Sequence, residues 1–265
     1  MYDIIDTRHR DDVVLRGMRL WGDYSVGFVK DCNWLQHYEN IVDPWHLLVL
    51  HQMISGDQFE GALMQGAPRI EFEKTALGVR YNLVKDLPNG NRFERHAECI
   101  IPNAFIIPDI RETGTILKRQ ERGSELSWAV PVDNEHVTGL SIVTWPIEDG
   151  EPRKDWRPGT DTVQDIRPGS VRSRKYEERQ RTPDDLEAQE GQRPIAVHAL
   201  ENLATSDTGI AMLRRTLREQ IKRVSDGLDP LNVVREARLN QRIPTNAWNT
   251  ILSPAEASML QGEEV

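Results

Sequence analysis

The feature that most limits the fold is a train of short alternating segments between residues 70 and 147, each closed by a turn signal. IEFEKT at 70–75 and VRYNLVKDL at 79–87 lead into Pro88-Asn89-Gly90, and NRFERHAECIIPNAFIIPDI follows at 91–110. TGTILKRQ at 113–120, SELSWAVPVD at 124–133 and HVTGLSIVTWPI at 136–147 complete the set. Runs of this length and spacing predict a meandering antiparallel sheet. Residues 12–29 (DVVLRGMRLWGDYSVGFV) alternate more loosely around glycine and predict one or two further strands.

Helical patterning flanks the train. It begins near Asp31 and runs to Met53, and Asp43-Pro44 inside it forms an N-cap and N1 pair at which a helix starts or restarts. Residues 183–203 also read as helical. Beyond them Thr205, Ser206 or Asp207 can cap a longer helix, with Ile210, Met212, Leu213, Leu217, Ile221 and Val224 at helical spacing before Gly227. Residues 148–182 are polar and Gly/Pro-punctuated, which predicts a long loop or lid. The expected class is therefore α+β. One domain spanning 1–265 would have a central antiparallel sheet, a helix inserted early and a long helix late.

Charge and cysteine usage remove several function classes. The formal charge of −9 argues against nucleic acid as a partner, because phosphate binding draws on basic surface. No apolar run approaches the roughly 18–20 residues of a membrane span, and MYDIIDTRHRDD has no signal-peptide pattern. Two cysteines, Cys32 and Cys99, make no disulfide framework. A cytoplasmic location is the expectation.

The chemistry concentrates in NWLQHYENIVDPWHLLVLH at 33–51. His46 and His51 stand five residues apart, about 140° around an ideal helix, so they converge on one metal only if a π-type turn or a helix end intervenes. Taken alone they also read as ordinary buried or surface histidines.

Asn33-Trp34-Leu35-Gln36, Glu39-Asn40 and Asp43-x-x-His46-x4-His51 resemble the iron-binding segment of Rieske non-haem iron oxygenases, the ring-hydroxylating and O-demethylating enzymes of aromatic degradation. RTPDDLEAQEGQRPIAVHALENLATSDTGIAMLRR at 181–215 resembles the later segment of that family, where an Asp-Asp pair supplies a carboxylate ligand. The resemblance is strongest to the phthalate- and vanillate-type branch. It implies a helix-grip-like, curved antiparallel sheet wrapped on a long C-terminal helix. It also implies a mononuclear Fe(2+) held by His46, His51 and one carboxylate of Asp184-Asp185, with Asp185 preferred, and O2 as co-substrate. Asp184 then caps the helix that begins near Pro183. Asp43 would hydrogen-bond a ligand histidine and relay electrons from a neighbouring subunit, although its side chain can equally cap the turn at Pro44. Asn40 would line the iron pocket. His37 falls outside the motif, and His9, His96, His136 and His198 carry no partner signal.

The family draws electrons from a [2Fe–2S] cluster held by Cys-x-His and Cys-x-x-His. Cys32-Asn33-Trp34 and Cys99-Ile100-Ile101 do not fit that pattern, so the Rieske domain is expected to be absent here. Its cluster would come from a Rieske-bearing chain, or from a ferredoxin and reductase, or from a missing N-terminal part. The implied substrate is aromatic and carboxylated, including lignin-derived compounds, with the basic stretch at 172–181 one source of a counter-charge. The implied assembly is a homotrimer. A non-catalytic helix-grip module binding a hydrophobic ligand is the alternative. A 2-oxo-acid-dependent iron oxygenase is disfavoured, because its His-x-Asp then distant His order is missing.

Overall fold

The computed structural model describes residues 2–3, 19–20, 29–54, 62, 66–108, 110, 112–122, 125–143, 147–148, 151–152, 170–181, 183–239 and 243–262. Strands β1 (Tyr2–Asp3), β2 (Arg19–Leu20) and β3 (Val29–Lys30) precede helices α1 (Trp34–Glu39) and α2 (Pro44–Ile54), which a 3-10 turn at Asn40–Val42 joins. Then come β4 (Arg69–Lys74), β5 (Gly78–Asp86), β6 (Arg92–Ile100), β7 (Ala104–Ile107), β8 (Lys118–Arg122), β9 (Glu125–Pro131) and β10 (Val137–Val143). Two short strands, β11 (Ile147–Glu148) and β12 (Glu151–Pro152), lead to α3 (Ser170–Ser173), α4 (Tyr176–Arg181) and α5 (Asp185–Glu190). The long helix α6 (Thr208–Ser225), then β13 (Ile243–Pro244), β14 (Trp248–Leu252) and α7 (Pro254–Gly262) close the order.

Ten strands form one sheet in which every pairing is antiparallel. Its hub is β6. One edge of β6 pairs with β5 from Gly78↔Ile100 to Asp86↔Arg92. The other edge is shared: β14 takes Arg92–His96 and β7 takes Glu98–Ile100. The β5–β6 hairpin turns through Pro88-Asn89-Gly90, where Gly90 sits at φ +86 and Leu87 N–H donates to the Asn91 carbonyl at 2.8 Å.

Pleating sorts the core into two faces. Val79, Cys99, Phe105, Ala129 and Val137 turn toward α1 and α6 and pack with Tyr38, Val42 and Leu213. Further along the sheet Tyr81, Leu83, Phe93 and Ala97 meet Leu47 of α2. Ile100, Ala104, Ile106 and Leu126 form the cluster on the opposite face. Cys32 and Cys99 are both free and buried, and burial pushes the Cys32 thiol up to about 12 and the Cys99 thiol well above its ordinary range. Both act as small core hydrophobes.

The α+β class, the antiparallel meander and the long late helix agree with the reading of the sequence. Several boundaries differ. The stretch 91–110 is two strands, because the chain turns at 101–103, where Pro102 has no N–H for a ladder. The strand expected at 113–120 begins only at Lys118. The helix expected over 183–203 stops at Glu190: Gly191 follows it and Pro194 forbids continuation, leaving a 3-10 turn at His198–Leu200. Of the predicted loop at 148–182, residues 170–173 and 176–181 are helical, whereas 153–169 lie outside the described residues. The strands expected within 12–29 are described only as β2 and β3.

Candidate metal centre

Two helices deliver the three groups. Asn33 caps α1 by accepting the Leu35 N–H at 3.0 Å, and Asp43 with Pro44 restarts the chain as α2. The expected irregular turn between His46 and His51 does not occur, since α2 is a continuous α-helix through both. Side-chain rotation closes the gap instead, and the two rings lie 5.3 Å apart between centroids. His46 is turned by its own helix start: its Nδ1 bonds the Asp43 carbonyl, which also accepts the His46 backbone N–H at 3.3 Å. With a proton on Nδ1, the Nε2 lone pair faces outward.

That lone pair meets Asp185, the first residue of α5. Asp185 Oδ1 lies 3.4 Å from His51 Nε2 and 4.0 Å from His46 Nε2. The three candidate ligand atoms fall within 4.8 Å of one another. His51 is 3% exposed, so the pocket wall at that ligand is dry. Asp185 Oδ1 is buried and accepts no hydrogen bond. A desolvated carboxylate oxygen facing two imidazole nitrogens is costly unless a cation joins them. The arrangement therefore fits a divalent metal, and two imidazoles with one carboxylate is the donor set of mononuclear non-haem iron.

Asn40, in the 3-10 turn, spans the same space, with Nδ2 at 3.4 Å from His46 Nε2 and 3.5 Å from Asp185 Oδ2. The side chain of Asp43 takes the capping role that the sequence also allowed. It accepts the Trp45 N–H at 3.2 Å and so caps α2, and its backbone carbonyl is what holds His46. Proline at 44 has no amide N–H, which makes Trp45 the first donor within reach. Asp184 is fully buried and stands outside the His46–His51–Asp185 cluster, accepting the Glu187 N–H at 2.7 Å as the N-cap of α5.

The remaining histidines have separate partners. His37 Nδ1 lies 3.0 Å from Gln189 Oε1 and 3.1 Å from Lys30 Nζ, and burial lowers its pKa well below the usual range. His96 is 2.6 Å from Asn82 Oδ1, His136 is 2.8 Å from Asp133, and His198 is 4.0 Å from Glu201. His9 lies outside the described residues.

Sequence reasoning missed the ion pairs that hold these elements together. Arg214 of α6 donates from Nη2 to Glu39 Oε2 at 2.7 Å and from Nη1 to Glu201 Oε2 at 2.5 Å. Burial raises the Glu39 pKa, while the Arg214 hydrogen bonds lower that of Glu201. Arg172, Arg174 and Arg179 are likewise engaged, with Asp31, Asp184 and Glu187. Thus three cations of the basic stretch are already paired with acids. Nothing in the sequence marks which acid each arginine will meet, because every pair joins distant segments or different helices.

No family model matches the chain. Phenoxybenzoate dioxygenase subunit alpha of Ectopseudomonas oleovorans is 34% identical over 236 residues, 88% of this chain and 54% of the relative. The oxygenase subunit of tert-butanol monooxygenase / tert-amyl alcohol desaturase of Aquincola tertiaricarbonis is 32% identical over 84% of this chain and 50% of its own length. The 5,5'-dehydrodivanillate O-demethylase oxygenase subunit of Sphingobium sp. (strain NBRC 103272 / SYK-6) is 28% identical over 82% and 48%. The chain thus spans about half the length of the curated relatives it matches. Among solved structures, NdmA of Pseudomonas putida CBB5 with caffeine gives a TM-score of 0.41 at 16% identity, covering 79% of this chain and 57% of that one.

Proposed function

The chain belongs, over the part it covers, with the oxygenase subunits of Rieske non-haem iron enzymes, and from that premise we propose that it forms the mononuclear-iron catalytic portion of such an oxygenase. The observation that carries this reading is the buried, donor-less Asp185 Oδ1 between two imidazoles. His46, His51 and Asp185 would hold Fe(2+), and bound there the ion supplies O2 activation for hydroxylation, or for O-demethylation by way of a methoxy carbon.

The chain's own residues do the positioning. The Asp43 carbonyl fixes the tautomer of His46, and the Asp43 carboxylate holds the helix start from which His46 projects. Asn40 brings an amide N–H against both His46 and Asp185, where it can orient a polar group of the incoming substrate. Tight packing around His51 keeps water from that ligand. An aromatic carboxylate is the substrate class we favour. Its counter-charge would come from Lys30, which stands beside His37 and feels the charge of Asp185, rather than from Arg172, Arg174 or Arg179. Electrons would arrive from a Rieske cluster on another chain or another part of a longer one, with a ferredoxin or reductase upstream, in a homotrimer of the cytoplasm. No helix among the described residues is long and apolar enough to cross a membrane.

Anaerobic reconstitution with Fe(II) tests the reading. We expect about one iron per chain for the wild type, and loss of that iron in both His46→Ala and Asp185→Ala. A wild type that retains no iron after desalting would sink it, and the protein would then be screened as a ligand-binding module.

A further inference from the structure

Two acids stand side by side at the start of α5, and only one faces the histidines. Asp184 is pinned through both oxygens: Oδ1 accepts the Glu187 N–H at 2.7 Å, and Oδ2 accepts from Arg174 Nη2 at 3.1 Å. Arg174 also lies 3.8 Å from Glu187, the residue that supplies the capping amide, and Arg179 Nη1 holds Glu187 Oε1 at 3.2 Å. The cation therefore grips the cap and the donor of the cap together. Asp185, one residue on, has no such anchor on its Oδ1.

We propose that Arg174 is a positioning residue that selects between the adjacent acids, holding Asp184 in the helix cap so that Asp185 alone is presented to the metal. The proposal rests on the metal reading above. Its physical basis is that neighbouring carboxylates compete for one cation unless one of them is already charge-paired. Arg174 is that pair. Both contacts run from the same Nη2, at 3.1 Å to Asp184 and 3.8 Å to Glu187, so a lysine point charge of similar reach can take over much of the role. The basic stretch around it thus acts in metal selection, although in sequence it looks like a solvated face.

The test is anaerobic Co(II) titration, read by affinity and by the visible ligand-field spectrum, with thermal stability followed in parallel. Arg174→Gln should weaken Co(II) binding by about tenfold, the lower end of the range for residues that orient metal ligands. It should also alter the spectrum as Asp184 reaches the metal. Arg174→Lys should recover most of the affinity. Adding Asp184→Asn to Arg174→Gln should return the wild-type spectrum, because the competing carboxylate is gone. A wild-type spectrum and affinity in Arg174→Gln would overturn the proposal. So would a loss of stability with weaker binding but unchanged bands, which is a purely structural role. If Arg174→Gln does not fold, Arg174→Met, which keeps the apolar stem but not the charge, takes its place, and the idea fails if Arg174→Met shows no spectral change that adding Asp184→Asn removes. A wild type that binds neither Co(II) nor Fe(II) overturns the metal centre itself, an outcome distinct from all of these.

Discussion

At the scale of single residues, adjacent positions carry opposite demands. Asp184 stabilises the metal-free fold, whereas Asp185 Oδ1 burdens it with an oxygen that has no donor. Asp184→Ala should cost about 1 kcal/mol for the lost cap, and more because Arg174 loses its partner. Asp185→Ala should leave metal-free stability equal or higher while abolishing iron uptake. Urea denaturation of both apo variants, with iron analysis, checks the pair; equal destabilisation would be the wrong result. His96 gives a pH prediction. Burial, with the Arg80 charge, lowers its pKa from 6.5 to about 4, and it is 2.6 Å from Asn82 with its ring tilted against Trp248 at 4.9 Å. A histidine kept neutral by the fold adds stability above pH 6.5 that is lost as pH falls toward 4. The loss should not exceed about 1.4 kcal/mol per pH unit, and His96→Gln should flatten the slope in that window. His96 carried no partner signal in the sequence because Asn82 and Trp248 reach it only through cross-strand register.

At the scale of elements, the strands were legible wherever alternation met a turn residue, as in β4, β5, β9 and β10. What escaped was cooperation between segments. Strand β14 is a five-residue piece near the C-terminus, unremarked in the sequence, yet it completes the β6 edge that β7 leaves open. The long helix α6 could be read from its apolar spacing, but not its closeness to the 3-10 turn that leads into α2. Gly209 permits that closeness: an added Cβ would collide with the Phe72 ring and the Val42 carbonyl, one residue before Asp43. Gly209→Ala should therefore cost about 1–3 kcal/mol by overpacking, and should weaken metal binding by displacing the 3-10 turn that bears Asn40. Calorimetric melting with Co(II) titration measures both effects; an unchanged melting temperature would contradict the contact. The histidine pair shows the converse limit. Their spacing suggested a helical irregularity, and rotamers inside a regular helix met the need instead.

At the scale of the whole molecule, the candidate centre joins α2 to a residue 134 positions beyond His51. The sequence made this partnership legible only through resemblance, since no local pattern links two segments so far apart. The proposed redox dependence also belongs to this scale. Supplied with Fe(II), O2 and an aromatic carboxylate, the isolated protein should turn over poorly with a small-molecule reductant and much faster once a Rieske-bearing chain is added. Sustained turnover without that chain would count against the proposal. The distance between the ligand segments has one more consequence. An ion shared by His46, His51 and Asp185 is a reversible cross-link, and it closes a loop about as long as many complete domains. Binding only the folded form, it should add about 2.7 kcal/mol of stability at a free concentration one hundred times its dissociation constant. Melting temperature should then climb with metal concentration, and a chelator should reverse the gain. In the cell, the same cross-link would make the lifetime of this chain track the supply of iron.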